Sequence, residues 1–214
     1  MPRLRQVSRA DATPEVVQIY DLVFGRGRDP VAEPGTDTGT PGNWWTVFAL
    51  VPEALTHAVS GFAFYRSKRR TLDPQLRELG QTRAGYARGS QFVYSQHCKA
   101  ARSVGLSDAQ VEAIPSWYTA DVFSPLQRTV LAYTDELVLG GGRVADATFA
   151  QLRAGGLSDE AILELTYIVC LYEMHATMCR ALRLEYDDAD ERVVEILGPD
   201  GAKTLDAMRG VDRR

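Results

Sequence analysis

Between Asn43 and Leu182 the chain is divided by start and stop signals for helices, and almost nowhere do apolar and polar residues alternate with the period of a strand. Asp73-Pro74 and Ser124-Pro125 each set a side-chain acceptor ahead of a proline, which suits the first turn of a helix. Gly89, Gly105 and Gly140-Gly141-Gly142 stand where helices stop. Ser90 and Ser107-Asp108 read as caps for the next helices. The predicted helices run over 74–88, 90–104, a short stretch from 108 to before Pro115, 125–139, 146–154 and 158–182, with a last one near 190–197. An all-α helical bundle follows.

Upstream, Trp44, Val47, Phe48 and Val51 share one helix face, and Pro52 opens a helix with Leu55, Val59, Phe62 and Phe64 as its expected buried side chains. Pro14 to Phe24 carries a short helical pattern. Gly25 to Gly42 holds five Gly and three Pro, too long for a plain connector, and reads as a mobile segment or a lid. The chain thus divides into an N-terminal helix and Gly/Pro-rich loop (1–42), a helical domain (43–185) and a charged tail (186–214). Gly105-Leu106-Ser107-Asp108 recurs as Gly156-Leu157-Ser158-Asp159, a reused capping phrase or a faint duplication.

The 214 residues are 45% hydrophobic, enough for an ordinary core, and the formal charge of −4 gives no basic footprint for nucleic acid. The basic run from Arg66 to Arg70 fits a solvated helix end. There is no apolar stretch long enough to span a membrane, and no signal-like N-terminus. Cys98, Cys170 and Cys179 form no CxxC, which argues for a reducing, cytoplasmic setting.

Three histidines could carry proton chemistry: His57, His97 and His175. His97 lies mid-helix on a mostly apolar face, where periodicity favours a hydrogen-bonded core histidine. His175 and Cys179 stand at i and i+4, but two ligands make no metal site, and a packing helix is the better reading. His57 either lines a pocket or is solvated.

Leu76-Arg77-Glu78-Leu79, then Tyr86, Ser90, Val93, Tyr94, His97 and Gly105, resemble the core motif of the carboxymuconolactone decarboxylase and alkyl hydroperoxidase D-like superfamily. In the hydroperoxidase branch a Glu is followed twelve residues on by the first Cys of a CxxC, and a His lies four residues beyond the second; here those positions are Glu78, Ser90, Val93 and His97. Glu and His are present and both cysteines are absent. The likeness extends over roughly 43–185. It implies an oligomeric bundle of the hydroperoxidase D-like type, with a trimer or hexamer favoured. It also implies cofactor-free proton transfer by Glu78 and His97 on a small organic acid or lactone, as in the decarboxylase branch. Trp45, Arg83, Tyr86, Ser90 and Tyr94 are the residues that would bind or orient the substrate, Arg83 through a carboxylate. No cofactor, metal, membrane or nucleic acid is called for. Two other readings stand beside it: a hydroperoxide-reducing antioxidant protein, which would need a thiolate and a resolving thiol, and a binding or structural protein that kept the fold.

Overall fold

The computed structural model describes residues 1–65, 67–188, 193–198, 201 and 203. Within them lie α1 (Pro14–Val23), α2 (Asn43–Phe48), α3 (Pro52–Tyr65), α4 (Pro74–Ala87), α5 (Gln91–Ser103), α6 (Asp108–Ala113), a 3-10 segment (Ile114–Thr119), α7 (Pro125–Val138), α8 (Asp146–Ala154) and α9 (Asp159–Leu182). The described residues contain no strand. The fold is an all-α bundle.

The caps act where the side chains place them. Asp73 accepts from the backbone N–H groups of Gln75 and Leu76 at 2.8 and 3.2 Å. Ser107 and Ser124 complete capping boxes with Gln110 and Gln127, and Ser158 caps α9. The expected helix near 190–197 falls partly outside the described residues, and 193–198 are not helical. Those residues lie along α5 instead: Ser95 Oγ accepts from Ile196 N at 2.8 Å, and Arg102 forks onto Glu195 at 2.6 and 2.8 Å. In the expected basic helix end, Arg66 lies outside the described residues.

Helix α4 is the axis of the molecule. It packs against α5, α7 and α9, and its residues from Leu76 to Gly85 are all buried. Its approach to α5 depends on Gly85, where a Cβ would come within 2.8 Å of both Tyr94 N and Val93 Cγ1. Gly89, with φ +69°, then reverses the chain through a conformation that costs other residues energy. The α4–α5 pair is therefore a tight antiparallel hairpin.

Two large apolar cores result, beside a smaller cluster of Val93, Ile168, Tyr172 and Ala176. One gathers α4, α5, α7 and α9 around Leu79, Leu131 and Leu165. The other joins the N-terminal segment and helices α1 to α3 to the end of α9, around Tyr20, Leu55 and Leu184. In the second core Trp44, Val47 and Phe48 are buried, but Val51 is 53% exposed, because α2 ends at Phe48 and the expected apolar face does not continue. On α3 the fully sheltered positions are Leu55, Ala58 and Tyr65, while Val59 and Phe62 are only partly buried against the core.

Candidate active site

Helices α4 and α5 bring Glu78 and His97 face to face. Glu78 is fully buried, and its Oε2 lies 2.8 Å from His97 Nδ1. The other oxygen, Oε1, accepts from the Tyr65 hydroxyl at 2.7 Å and from Arg77 Nε and Nη2 at 3.1 and 2.9 Å. Arg77 is itself fully buried, and its guanidinium lies 4.5 Å from the centre of the Tyr65 ring. Burial alone would push the Glu78 carboxyl up. His97, Arg77 and Tyr65 outweigh it and hold the group below the ordinary glutamate range. The same arrangement raises Tyr65 well above its ordinary value, through burial first and the Glu78 charge second. Glu78 is thus an anion, and Tyr65 a neutral donor to it.

A carboxylate only accepts, so Nδ1 of His97 carries the proton of that bond. In its neutral form the imidazole then presents an unprotonated Nε2. This nitrogen makes no hydrogen bond to the described residues, and His97 lines a cavity of about 160 Å³. Tyr65 lines the same cavity, with Glu78 set behind both. The edge-on ring of Tyr172, 4.3 Å away between centres, fixes the imidazole from the side.

The cavity lies where the N-terminal core meets the small cluster that holds Val93 and Tyr172. Trp44, Trp45 and Phe62 close it on one side, Val93 and Tyr172 on another, and Thr38 and Thr40 of the Gly/Pro-rich loop complete its wall. That loop is tied down from the far end of the chain. Glu185 accepts from Gly42 N at 2.9 Å and Trp44 N at 2.7 Å, and Tyr186 donates its hydroxyl proton to Gly39 O. Glu185 is buried, and it is met by these backbone amides rather than by a cation among the described residues. Burial, reinforced by nearby Asp187, raises its carboxyl to about 7 against the pull of the two backbone donors.

The five expected substrate-binding residues separate. Trp45 lines the cavity. Arg83 does not, because its guanidinium forks onto Asp135 at 2.6 and 2.9 Å and donates to the carbonyls of Ile114 and Pro115. It is therefore not free to hold a substrate carboxylate. Tyr86 packs against Arg83 and Tyr94, and neither tyrosine lines the cavity. Ser90 caps α5 and donates its hydroxyl proton to Asp187 at 2.6 Å. These four hold the hairpin and its neighbours together. His57 is exposed and apart from the site.

His175 lines the cavity, and neither of its ring nitrogens has a hydrogen-bond partner among the described residues. Burial, and then His97, lowers its value to about 4, so it is neutral at physiological pH. It stands among aromatic rings, 5.4 Å from Phe62 and 5.6 Å from Trp44 between centres. The thiols are elsewhere. Cys98 and Cys179 are fully buried and no cysteine lines the cavity. Burial pushes Cys98 up to about 12 and raises Cys179 strongly.

Residues 53–136 match the carboxymuconolactone decarboxylase family. No curated protein matches the chain by sequence. Among solved structures it is similar to an alkylhydroperoxidase AhpD core, an uncharacterized peroxidase-related protein from Ralstonia eutropha JMP134, with a TM-score of 0.68 at 16% identity over 87% of this chain and 93% of that one. It is also similar to the debrominase Bmp8, solved as a cysteine-to-alanine variant in complex with 2,3,4-tribromopyrrole, with a TM-score of 0.64 at 16% identity over 96% of this chain and 97% of that one. A peroxidase-related protein from Silicibacter sp. TM1040 gives a TM-score of 0.60 at 15% identity over 72% and 79%. At these identities the structures establish the fold alone. The chain thus shares the alkylhydroperoxidase D-like fold and matches the carboxymuconolactone decarboxylase family over residues 53–136, with Ser90 and Val93 at the two positions where the hydroperoxidase motif has thiols.

Proposed function

We propose that the protein is a cofactor-independent enzyme whose His97 moves a proton on a small organic molecule, in a decarboxylation or a related lyase reaction. The observation that carries this reading is the 2.8 Å bond between Glu78 and His97 Nδ1, with Nε2 left uncommitted on a cavity wall. In this mechanism Nε2 takes a proton from the bound substrate and later returns it. Glu78 holds the tautomer and balances the imidazolium charge while it lasts. Arg77 and Tyr65 hold the carboxylate still, so little reorganisation accompanies the charge. A lactone suits the cavity better than the free acid, because Arg83 is committed to Asp135.

The antioxidant reading has less support. Thiol-based peroxide reduction needs a thiolate at the site, and the buried, high-pKa Cys98 does not face the cavity. The test is turnover by single and double variants on a lactone panel. His97→Gln and Glu78→Gln should each lower kcat by about 10²- to 10⁴-fold, and the double variant should be little worse than either, since the two act as one unit. Undiminished turnover in His97→Gln rejects the reading.

We also propose that the enzyme is a homo-oligomer, a trimer or hexamer, as the family resemblance implies. Leu163, Tyr167 and Met174 lie on one face of α9 and are 69%, 49% and 43% exposed. An apolar stripe of this kind suits contact with another copy. Light scattering should give a multiple of 23.6 kDa, and Tyr167→Glu should lower it; a wild-type monomer at micromolar concentration rejects the assembly.

A further inference from the structure

The cavity has a size and a chemistry that restrict what it holds. Its volume, about 160 Å³, is close to the roughly 150 Å³ of a protein cavity that accepts a benzene molecule. A single ring matches this space. The walls include the rings of Trp44, Trp45, Phe62 and Tyr172, and aromatic faces and edges favour flat partners. Among the described residues, no Asp, Glu, Lys or Arg lines the space.

Two of its polar side chains, Gln96 and His175, are neutral and carry nitrogens without partners among the described residues. Gln96 is 8% exposed and His175 3% exposed, and both line the cavity. The Gln96 amide nitrogen and both His175 nitrogens find no hydrogen-bond partner among the described residues. Buried polar groups of this kind are ordinarily satisfied. His175 is held neutral by burial, and the Glu78 charge is directed toward Arg77 rather than into the cavity. A carboxylate entering here would lose water and meet no permanent cation among the described residues.

We propose that the cavity binds an uncharged, flat, single-ring compound whose polar substituent reaches His97 and Gln96. This rests on the acid–base reading only for the role of His97; the slot itself is defined by its walls. It narrows the substrate class to unsaturated lactones, enols and phenol-like rings, and within the acid–base reading it favours a lyase or proton-transfer step other than decarboxylation, because the carboxylate that a decarboxylation releases as CO2 would meet no permanent cation among the described residues.

The experiment is equilibrium binding to the intact chain, read by calorimetry and by the fluorescence of Trp44 and Trp45. The probes are phenol, benzoate, cyclohexanol and 2-naphthol at neutral pH. Phenol should bind at least tenfold more tightly than each of the other three. Phe62→Trp should fill the slot and weaken phenol at least tenfold, with the circular dichroism and melting temperature of the wild type. Benzoate or 2-naphthol binding as well as phenol overturns the proposal, as does failure of phenol to bind at millimolar concentration. Binding separates this proposal from the catalytic one. If phenol binds selectively while His97→Gln retains full turnover, the slot stands and the acid–base reading falls. If benzoate binds best while turnover still requires His97 and Glu78, the slot falls and the acid–base reading stands.

Discussion

Two buried glutamates flank the cavity, and their chemistry is opposite. Glu78, on α4, meets His97, Tyr65 and Arg77, and its carboxyl lies below the ordinary range. Glu185, just past α9, meets two backbone N–H groups and a neighbouring Asp187, and its carboxyl is raised to about 7. Burial acts in the same direction on both. The difference is the company: a cation and an imidazole compensate one charge, while amide dipoles compensate the other only in part. The first arrangement keeps a fixed negative charge behind the His97 imidazole. The second makes a latch on the loop and the Trp44 helix whose strength depends on protonation.

The largest effect expected from this contrast is on folding stability. Glu78→Gln removes a fully buried charge that Arg77 and His97 face, and should cost about 3–5 kcal/mol at neutral pH. Glu185→Gln should cost far less there, because its carboxyl is already close to half protonated. Urea unfolding of both variants at pH 7 measures the difference. Equal losses would mean that the two carboxylates sit in equivalent environments, and the contrast would vanish.

The next effect is a pH dependence of opposite sign. A glutamate raised from 4.5 to about 7 in the folded state contributes stability that is complete below about pH 4.5 and is lost as pH rises through about 7. The slope from this group is at most about 1.4 kcal/mol per pH unit. Glu78 works the other way: its contribution is complete above its ordinary value of 4.5 and is lost as pH falls below that. Unfolding curves collected from pH 4 to 8 should therefore contain a decline above pH 4.5 that Glu185→Gln flattens and Glu78→Gln leaves in place, superposed on the opposite rise from His175, which is lowered from 6.5 to about 4 in the folded state. A decline unchanged in Glu185→Gln would place the latch carboxyl at an ordinary value.

The two glutamates are unequally visible in the sequence. Helix caps are local, so Asp73, Ser107, Ser124 and Ser158 announce their helices directly. Glu78 and His97 sit on one tight hairpin, and their separation along the chain matches a known motif. Arg83 misleads because its partner, Asp135, lies 52 positions away on α7, and a lone arginine on a helix carries no mark of being occupied. Tyr65 escapes notice because α3 shelters the Leu55, Ala58 and Tyr65 side of the helix, whereas the sequence pattern points to Val59, Phe62 and Phe64. Glu185 lies at the edge of an apparently charged tail, and only the fold brings it to Gly42 and Trp44, more than 140 residues away. His175 reads as packing, and it does pack among aromatic rings, but those rings also enclose the cavity.

The smallest effect concerns the support of Glu78 rather than its charge. Tyr65 gives Oε1 a neutral hydrogen bond of 2.7 Å, while Arg77 supplies the cation to the same oxygen. If the compensation of Glu78 is chiefly charge, Tyr65→Phe should cost only about 1.5 kcal/mol, the usual size for one hydrogen bond to an ionised group. The phenyl ring keeps its place under the Arg77 guanidinium, so packing changes little. Turnover should fall by less than about tenfold, since Nδ1 of His97 still meets Oε2. Removing the hydroxyl should also let the Glu78 carboxyl rise, because that bond is one of the contacts holding it down. The acid limb of unfolding would then begin at a higher pH than in the wild type, while the decline above pH 4.5 that belongs to Glu185 stays where it was. A Tyr65→Phe variant as unstable as Glu78→Gln would show that the hydroxyl, and not the cation, carries the carboxylate, and the contrast with Glu185 would need a different cause.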